Sequence, residues 1–231
     1  MMNHQSRIKI LVILVTIFLI HSTIWTSAEE EVEDEREFDY IKGSEKGPSH
    51  WGDLKKEWKA CKNGEMQSPI DLTNKRVRVV PSLGLLTKNY KPQNASIVNR
   101  GHDISVRWNG DAGSISINGT QLFLKQCHWH SPSEHTINGI RYDMELHMVH
   151  ETPNTNKVAV LGLLFKIGRP NPTLSKLSNY IKSLVDKDEE KKIGVFDPSK
   201  IKFGSKKYYR YTVPSLFLLV LKESFGPLIK R

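Results

Sequence analysis

Residues 126–150, QCHWHSPSEHTINGIRYDMELHMVH, constrain this chain more than any other stretch. An extended segment alternates its side chains between two faces, so His128 and His130 point one way and Trp129 the other. Met144 to His150 reads as a second strand, and Asn138-Gly139 in the connection is a turn signal. Antiparallel pairing of the two runs would carry His147 to the first two imidazoles and set three neutral nitrogens on one sheet face. Three protein ligands with the fourth position left for water is how a catalytic zinc site is built. Two acids, Glu134 and Glu145, fall in the same segment, which favours a site over three unrelated histidines on a polar face.

Short alternating runs continue on both sides: Ser96 to Val98, Asp103 to Trp108, Ser114 to Ile117, Gln121 to His130 and Val158 to Ile167. Gly, Asn and Pro punctuate them, as strand ends require. One stretch has a helical period, with Leu174, Leu177, Ile181, Leu184 and Val185 on one stripe after Thr173. The expected fold class is therefore mostly β with short helices, a single domain around a large, mainly antiparallel sheet. No internal repeat, low-complexity tract or second domain is visible.

The N-terminal end reads as a secretory signal peptide over 1–28. Arg7 and Lys9 precede an apolar run at 10–20, and Ser27-Ala28 offers small residues for cleavage. That run is short for a membrane span of roughly 20 residues, so no membrane association is expected after cleavage. Residues 29–39 then form an acidic leader whose composition favours a solvated, flexible segment. Setting residues 1–39 aside removes 3 of the 34 Lys/Arg and 8 of the 25 Asp/Glu, leaving 31 against 17 and a body near +14. The lysines are scattered rather than striped and no nucleic-acid motif appears, so a soluble cationic surface is expected and no nucleic-acid partner. Asn94 and Asn118 head Asn-x-Ser/Thr tripeptides and are glycosylation candidates in the secretory route. Two cysteines in an oxidising compartment suggest one disulfide. Cys127 argues against it, because it alternates with the ligand face and belongs in an apolar layer as a small hydrophobe.

Taken with its neighbours, the histidine segment closely resembles the alpha-class carbonic anhydrases. The matching motifs are His128-Trp129-His130, Ser133 to Thr136, and Glu145 to His150. Gly47 to Trp51, Gln67 to Asp71, Asn99 to His102 and Ala159 to Gly162 add to them in order and spacing, so the resemblance covers residues 38 to about 211. It implies a central mixed sheet of about ten strands, and Zn2+ held by His128, His130 and His147. It implies acceptors for the ligand histidines at Gln126 and Glu145, each two residues before a ligand on the same face. His102 corresponds to the proton shuttle, Tyr40, Asn99 and Ser105 to the water path, and Val149 and Val160 to the apolar wall that receives carbon dioxide. Glu134 corresponds to the acid that orients the nucleophile through a threonine. The substrate implied is carbon dioxide, hydrated reversibly to bicarbonate and a proton. The destination implied is extracellular, or a plastid reached through the secretory route. Nothing in the sequence sets an oligomeric state.

After Tyr211 the match stops. Where the family continues Gly-Ser-Leu-Thr-Thr-Pro-Pro-Cys, this chain reads Thr212-Val-Pro-Ser-Leu-Phe-Leu-Leu-Val-Leu, as a retained intron or mis-joined exon would produce. The expectation is a C-terminally truncated domain over 40–211 followed by a divergent apolar tail at 212–231. The run at 215–221 is either a substitute strand or an exposed tail. The missing segment would carry the disulfide partner of Cys61, which is expected to be an orphan thiol, and the threonine partner of Glu134. Those losses support an alternative function: a catalytically weak or inactive secreted binding or storage protein.

Overall fold

The computed structural model describes residues 37–225 apart from 84, 156, 204–206 and 214–215. The expected signal peptide and most of the acidic leader lie outside the described residues. In chain order the strands are β1 (Asp71–Leu72), β2 (Thr87–Tyr90), β3 (Gln93–Asn99), β4 (Ile104–Trp108), β5 (Gly113–Ile117), β6 (Thr120–His130) and β7 (Thr136–Ile137). Then follow β8 (Ile140–Arg141), β9 (Met144–Glu151), β10 (Val158–Lys166), β11 (Glu190–Phe196), β12 (Tyr208–Val213) and β13 (Leu216–Phe225). Helices α1 (Trp51–Leu54) and α2 (Ala60–Asn63) precede β1, and α3 (Pro172–Ser183) follows β10. The mostly β expectation holds. No helix among the described residues is long and apolar enough to cross a membrane.

The main sheet has ten strands in the order β11-β3-β4-β6-β9-β10-β13-β12, with β5 beside β6 and β2 beside β5. Neighbours run antiparallel except β10 and β13, which are parallel. A small second sheet joins β1, β7 and β8. Asn138 and Gly139, with φ of 51° and 74°, make the tight β7–β8 turn. The Asn-Gly signal thus closes a hairpin of the small sheet that lies within the connection between β6 and β9.

Helix α3 starts one turn signal earlier than the periodicity suggested. Asn171 caps it, accepting from the Thr173 and Leu174 N–H groups, with Pro172 in the first turn. Leu177 and Leu184 are buried, whereas Val185 is 79% exposed and leaves the stripe, because the helix has ended before it.

Of the two outcomes open for 215–221, the strand is realised from Leu216 onward. β13 lies between β10 and β12, and Leu218, Leu219, Val220 and Leu221 are all buried. A strand covered on both faces reads as an unbroken apolar run rather than an alternating one, which is why periodicity alone left the question open.

Strands β6 and β9 place everything that follows. A bulge between Leu124 and Gln126 shifts the β6 register. Beyond it Cys127 joins the larger core with Met148, Leu161 and Leu219, and Trp129 packs against that core, while Gln126, His128 and His130 face the opposite way. Cys127 is buried and free, and Cys61 is exposed and free, as the strand argument and the missing partner led us to expect.

Candidate metal centre

Register fixes the centre. His128 lies directly opposite His147, and His130 opposite Glu145. The row through His128 and His147 continues to Ser105 on β4 and to Gly162 on β10. The three imidazoles converge, with ring centroids 4.8, 4.9 and 5.2 Å apart. One ring nitrogen from each lies within 4.8 Å of the others, a group that could hold a metal ion. All three rings are buried, and burial pulls the pKa of His130 down to about 4, so it is neutral and offers a lone pair at physiological pH.

The outer nitrogens are held as expected. The Nδ1 of His128 donates to Gln126 Oε1 at 2.9 Å, and the Nε2 of His147 donates to Glu145 Oε1 at 2.9 Å. These contacts fix the tautomers, turning His128 Nε2 and His147 Nδ1 toward the common centre. The buried Glu145 carboxylate also accepts from His135 Nδ1 at 2.6 Å and from the backbone N–H groups of Glu134 and His135 at 3.0 and 2.9 Å. Burial opposes its ionisation, but His147 and His135 beside it hold its pKa well below the usual carboxylate range. Gly162 makes room for this arrangement: a Cβ there would lie 2.7 Å from Glu145 Oε1.

Sequence reasoning missed two members of the network. The hydroxyl of Tyr211 donates to His135 Nε2 at 2.6 Å and lies 2.9 Å from Ser68 Oγ. Burial keeps the Tyr211 phenol above its ordinary pKa, hence protonated. His135 was visible within Ser133 to Thr136, yet nothing in its local pattern announced a partner 76 residues away.

The remaining candidates divide. Tyr40 donates to Glu134 Oε1 at 2.7 Å, and its ring sits edge-on against Phe38 and Trp51. Glu134 is therefore partnered, which corrects the expectation of an orphaned buried acid. A tyrosine from the N-terminal side of the domain reaches it in place of the threonine. Thr212, the first residue after the match ends, is exposed on β12. Ser105 is buried beside the centre and donates to Gln126 Oε1 at 3.4 Å. Val149 and Val160 pair across β9 and β10, two register pairs on from His147 and Gly162 and so on the same face. The Asn99 side chain accepts from the Gly101 N–H at 2.9 Å, bracing the turn that carries His102. His102 is less exposed than a surface histidine, at 8% for its side chain, with Nε2 3.3 Å from Asp103 Oδ2. Burial works against the charge on Asp103, yet hydrogen bonds from His102 and Arg100 keep its carboxyl far below the usual range. Asn94 and Asn118 are both exposed, and Asn118 Oδ1 accepts from Arg210 at 3.2 Å.

The model of the eukaryotic-type carbonic anhydrases matches residues 46–216. The chain belongs to that family. Alpha carbonic anhydrase 7 of Arabidopsis thaliana is 52% identical over 215 residues, covering 92% of this chain and 78% of the relative. Carbonic anhydrase Nec1 of Nesocodon mauritianus is 49% identical over 211 residues, covering 88% and 75%. Among solved structures, dioscorin complexed with ascorbate superposes with a TM-score of 0.72 at 41% identity, covering 83% of each chain. The carbonic anhydrases of this alpha class are zinc lyases, and the histidine triad is where this member could hold its metal.

Proposed function

We propose that this chain binds zinc through His128, His130 and His147 and hydrates carbon dioxide reversibly to bicarbonate and a proton. The observation that carries the reading is the convergence of three buried imidazoles on one sheet face, two with their outer nitrogens pinned by Gln126 and Glu145. A set of three neutral nitrogen donors fits zinc in a catalytic site. Bound there, zinc supplies a Lewis acid that lowers the pKa of a coordinated water to about 7 and so provides the nucleophile at neutral pH.

The chain's own residues supply orientation, an apolar landing site and proton export. Gln126 and Glu145 set the ligand tautomers. Val149 and Val160 offer a small apolar surface, suited to an uncharged linear gas. His102, beside Asp103, takes the proton outward, a task suited to an imidazole as a side-chain type. Asn99 braces its turn, and Tyr40 and Ser105 line the approach. The N-terminal 28 residues direct the chain into the secretory route, with glycosylation at Asn94 and Asn118 and an extracellular destination.

The Tyr40–Glu134 hydrogen bond favours a second reading, a weak hydratase, because it engages the acid otherwise expected to orient the nucleophile. Elemental analysis and stopped-flow hydration on the secreted protein test both. One zinc per chain with measurable hydration is expected. In His102→Ala, turnover in weak buffer should fall and imidazole should partly restore it, with zinc content unchanged. A protein without zinc overturns the proposal, and unchanged turnover of His102→Ala removes His102 as the shuttle.

A further inference from the structure

His102 stands where a polar side chain is ordinarily solvated, and it is covered. Strands β3 and β4 pair as far as Asn99 and Ile104, and Arg100 to Asp103 turn the chain between them. The Arg100 N–H donates to the Asp103 carbonyl at 2.9 Å and closes the turn. Gly101, with φ at 90°, supplies the left-handed conformation at its first inner position. His102 is the second inner residue, at a hairpin tip of the kind that normally projects into water. Only 8% of its side chain is exposed.

Asp103 is what meets the ring on the inner side. Its side chain has no exposed surface. It stands two positions before Ser105, the residue opposite His128, so its carboxylate belongs to the metal face of β4. Arg100 grips that carboxylate at two points, Nε donating to Oδ1 at 2.7 Å and Nη2 donating to Oδ2. A two-point pair of this kind fixes the plane of the acid. Oδ2 then lies 3.3 Å from His102 Nε2. Burial works against the charge on Asp103, yet hydrogen bonds from His102 and Arg100 outweigh it and keep the acid ionised. An ionised carboxylate only accepts, so the proton in this contact belongs to Nε2. A neutral imidazole carries a single N–H, which leaves Nδ1 as its basic nitrogen.

We propose that Asp103, braced by Arg100, is a positioning residue that holds His102 inward in the Nε2–H tautomer and so assigns proton uptake to Nδ1. The inference rests on the reading of His102 as the proton shuttle and specifies which nitrogen does the work. A proton taken up at Nδ1 gives an imidazolium beside Asp103. Loss of that proton to buffer from the same nitrogen restores the starting tautomer, so no tautomer exchange intervenes between turnovers. Arg100 offsets the charge of the acid, which limits how strongly the imidazolium is retained.

The test uses the full zinc-loaded chain with 15N-labelled histidine. Long-range 1H–15N correlations distinguish the two tautomers, and the signal lost in His102→Ala assigns His102. The neutral ring of the wild type should show the Nε2–H form alone. Asp103→Asn, whose amide can turn either group to the ring, should show both tautomers. Its kcat in weak buffer should fall about 10-fold, the scale on which losing a histidine's orienting partner is felt at metal centres. Its kcat/KM and zinc content should match the wild type, because capture of carbon dioxide precedes proton export; a merely structural role would lower those two instead. Arg100→Lys, which keeps the charge but not the two-point grip, should lie between and serves if the asparagine variant misfolds. A wild-type ring in the Nδ1–H form or in a mixture, or an unchanged kcat in Asp103→Asn, would overturn the positioning role; a slowed His102→Ala would then leave the shuttle standing. Unchanged turnover of His102→Ala would overturn the shuttle and this inference with it.

Discussion

The paired strands β6 and β9 and the pair β12 and β13 stand in the same sheet but hold their residues by different means. In β6 and β9 the three candidate ligands are related by alternation along one strand and register with its direct neighbour, so His128, His130 and His147 meet through local rules. In β12 and β13 position depends on burial. Leu218 to Leu221 are drawn between β10 and β12 by their apolar surface, on a run with no alternation to specify which face is which. The two pairs touch through β10, where Gly162 faces both His147 and Val220. The lesson is that the metal face is specified within its own two strands, while the margin determines how firmly the sheet stands around it.

The sharpest way to break that comparison is His147→Ala. Loss of a ligand should abolish stoichiometric zinc, a larger effect than the roughly 10–100-fold loss of affinity typical when a supporting partner is removed. Equilibrium dialysis with zinc would register it, alongside a separate loss of stability in the metal-free protein, because buried Glu145 loses one of its donors. Retention of full zinc affinity would mean that the three histidines are not the ligands.

Next in size, Leu219→Ala should cost about 2–5 kcal/mol in denaturant unfolding, the usual consequence of a large-to-small change at a core position. Its folded fraction should still bind one zinc. A variant that stays folded yet loses zinc would show that the margin reaches into the centre and would end the separation between the two regions.

Acid should act mainly on the β9 side. His150 is fully buried, stacks on Tyr90 and shares a 2.9 Å hydrogen bond with its hydroxyl, and burial lowers its pKa to about 4. The unfolded chain takes up this proton below about 6.5 and the folded chain only below about 4. Stability is therefore intact above pH 6.5 and falls as pH drops toward 4, by up to about 3 kcal/mol from this residue. Urea midpoints of the metal-free protein at pH 7 and pH 4.5 would display the loss, and His150→Gln should reduce it without abolishing it, because buried His130 is held near the same pKa. A pH-independent midpoint in the parent chain would contradict the assignment.

The smallest effect expected is at the boundary. Gly162→Ala places a methyl against Oε1 of the Glu145 carboxylate, whose two oxygens accept from four donors between them. Such overpacking typically costs about 1–3 kcal/mol. Zinc affinity should fall as well, since His147 would lose its alignment. Unaltered affinity would mean that Glu145 yields freely and that its network is less rigid than its contacts imply.

The strands, the meeting of His128, His130 and His147, the Gln126 and Glu145 contacts and the free state of both cysteines were legible in the sequence. All but the state of Cys61 follow from one fact of covalent geometry, that successive side chains on an extended chain point to opposite faces. A residue two positions away is a neighbour whatever the rest of the molecule does. Tyr40 reaching Glu134 across 94 residues, Tyr211 reaching His135 across 76, and the entry of 216–225 between β10 and β12 were decided by the tertiary structure alone. Those contacts depend on which apolar surfaces pack together and on which donor then lies nearest a buried acceptor. Burial does not care about separation along the chain, so no local period encodes it.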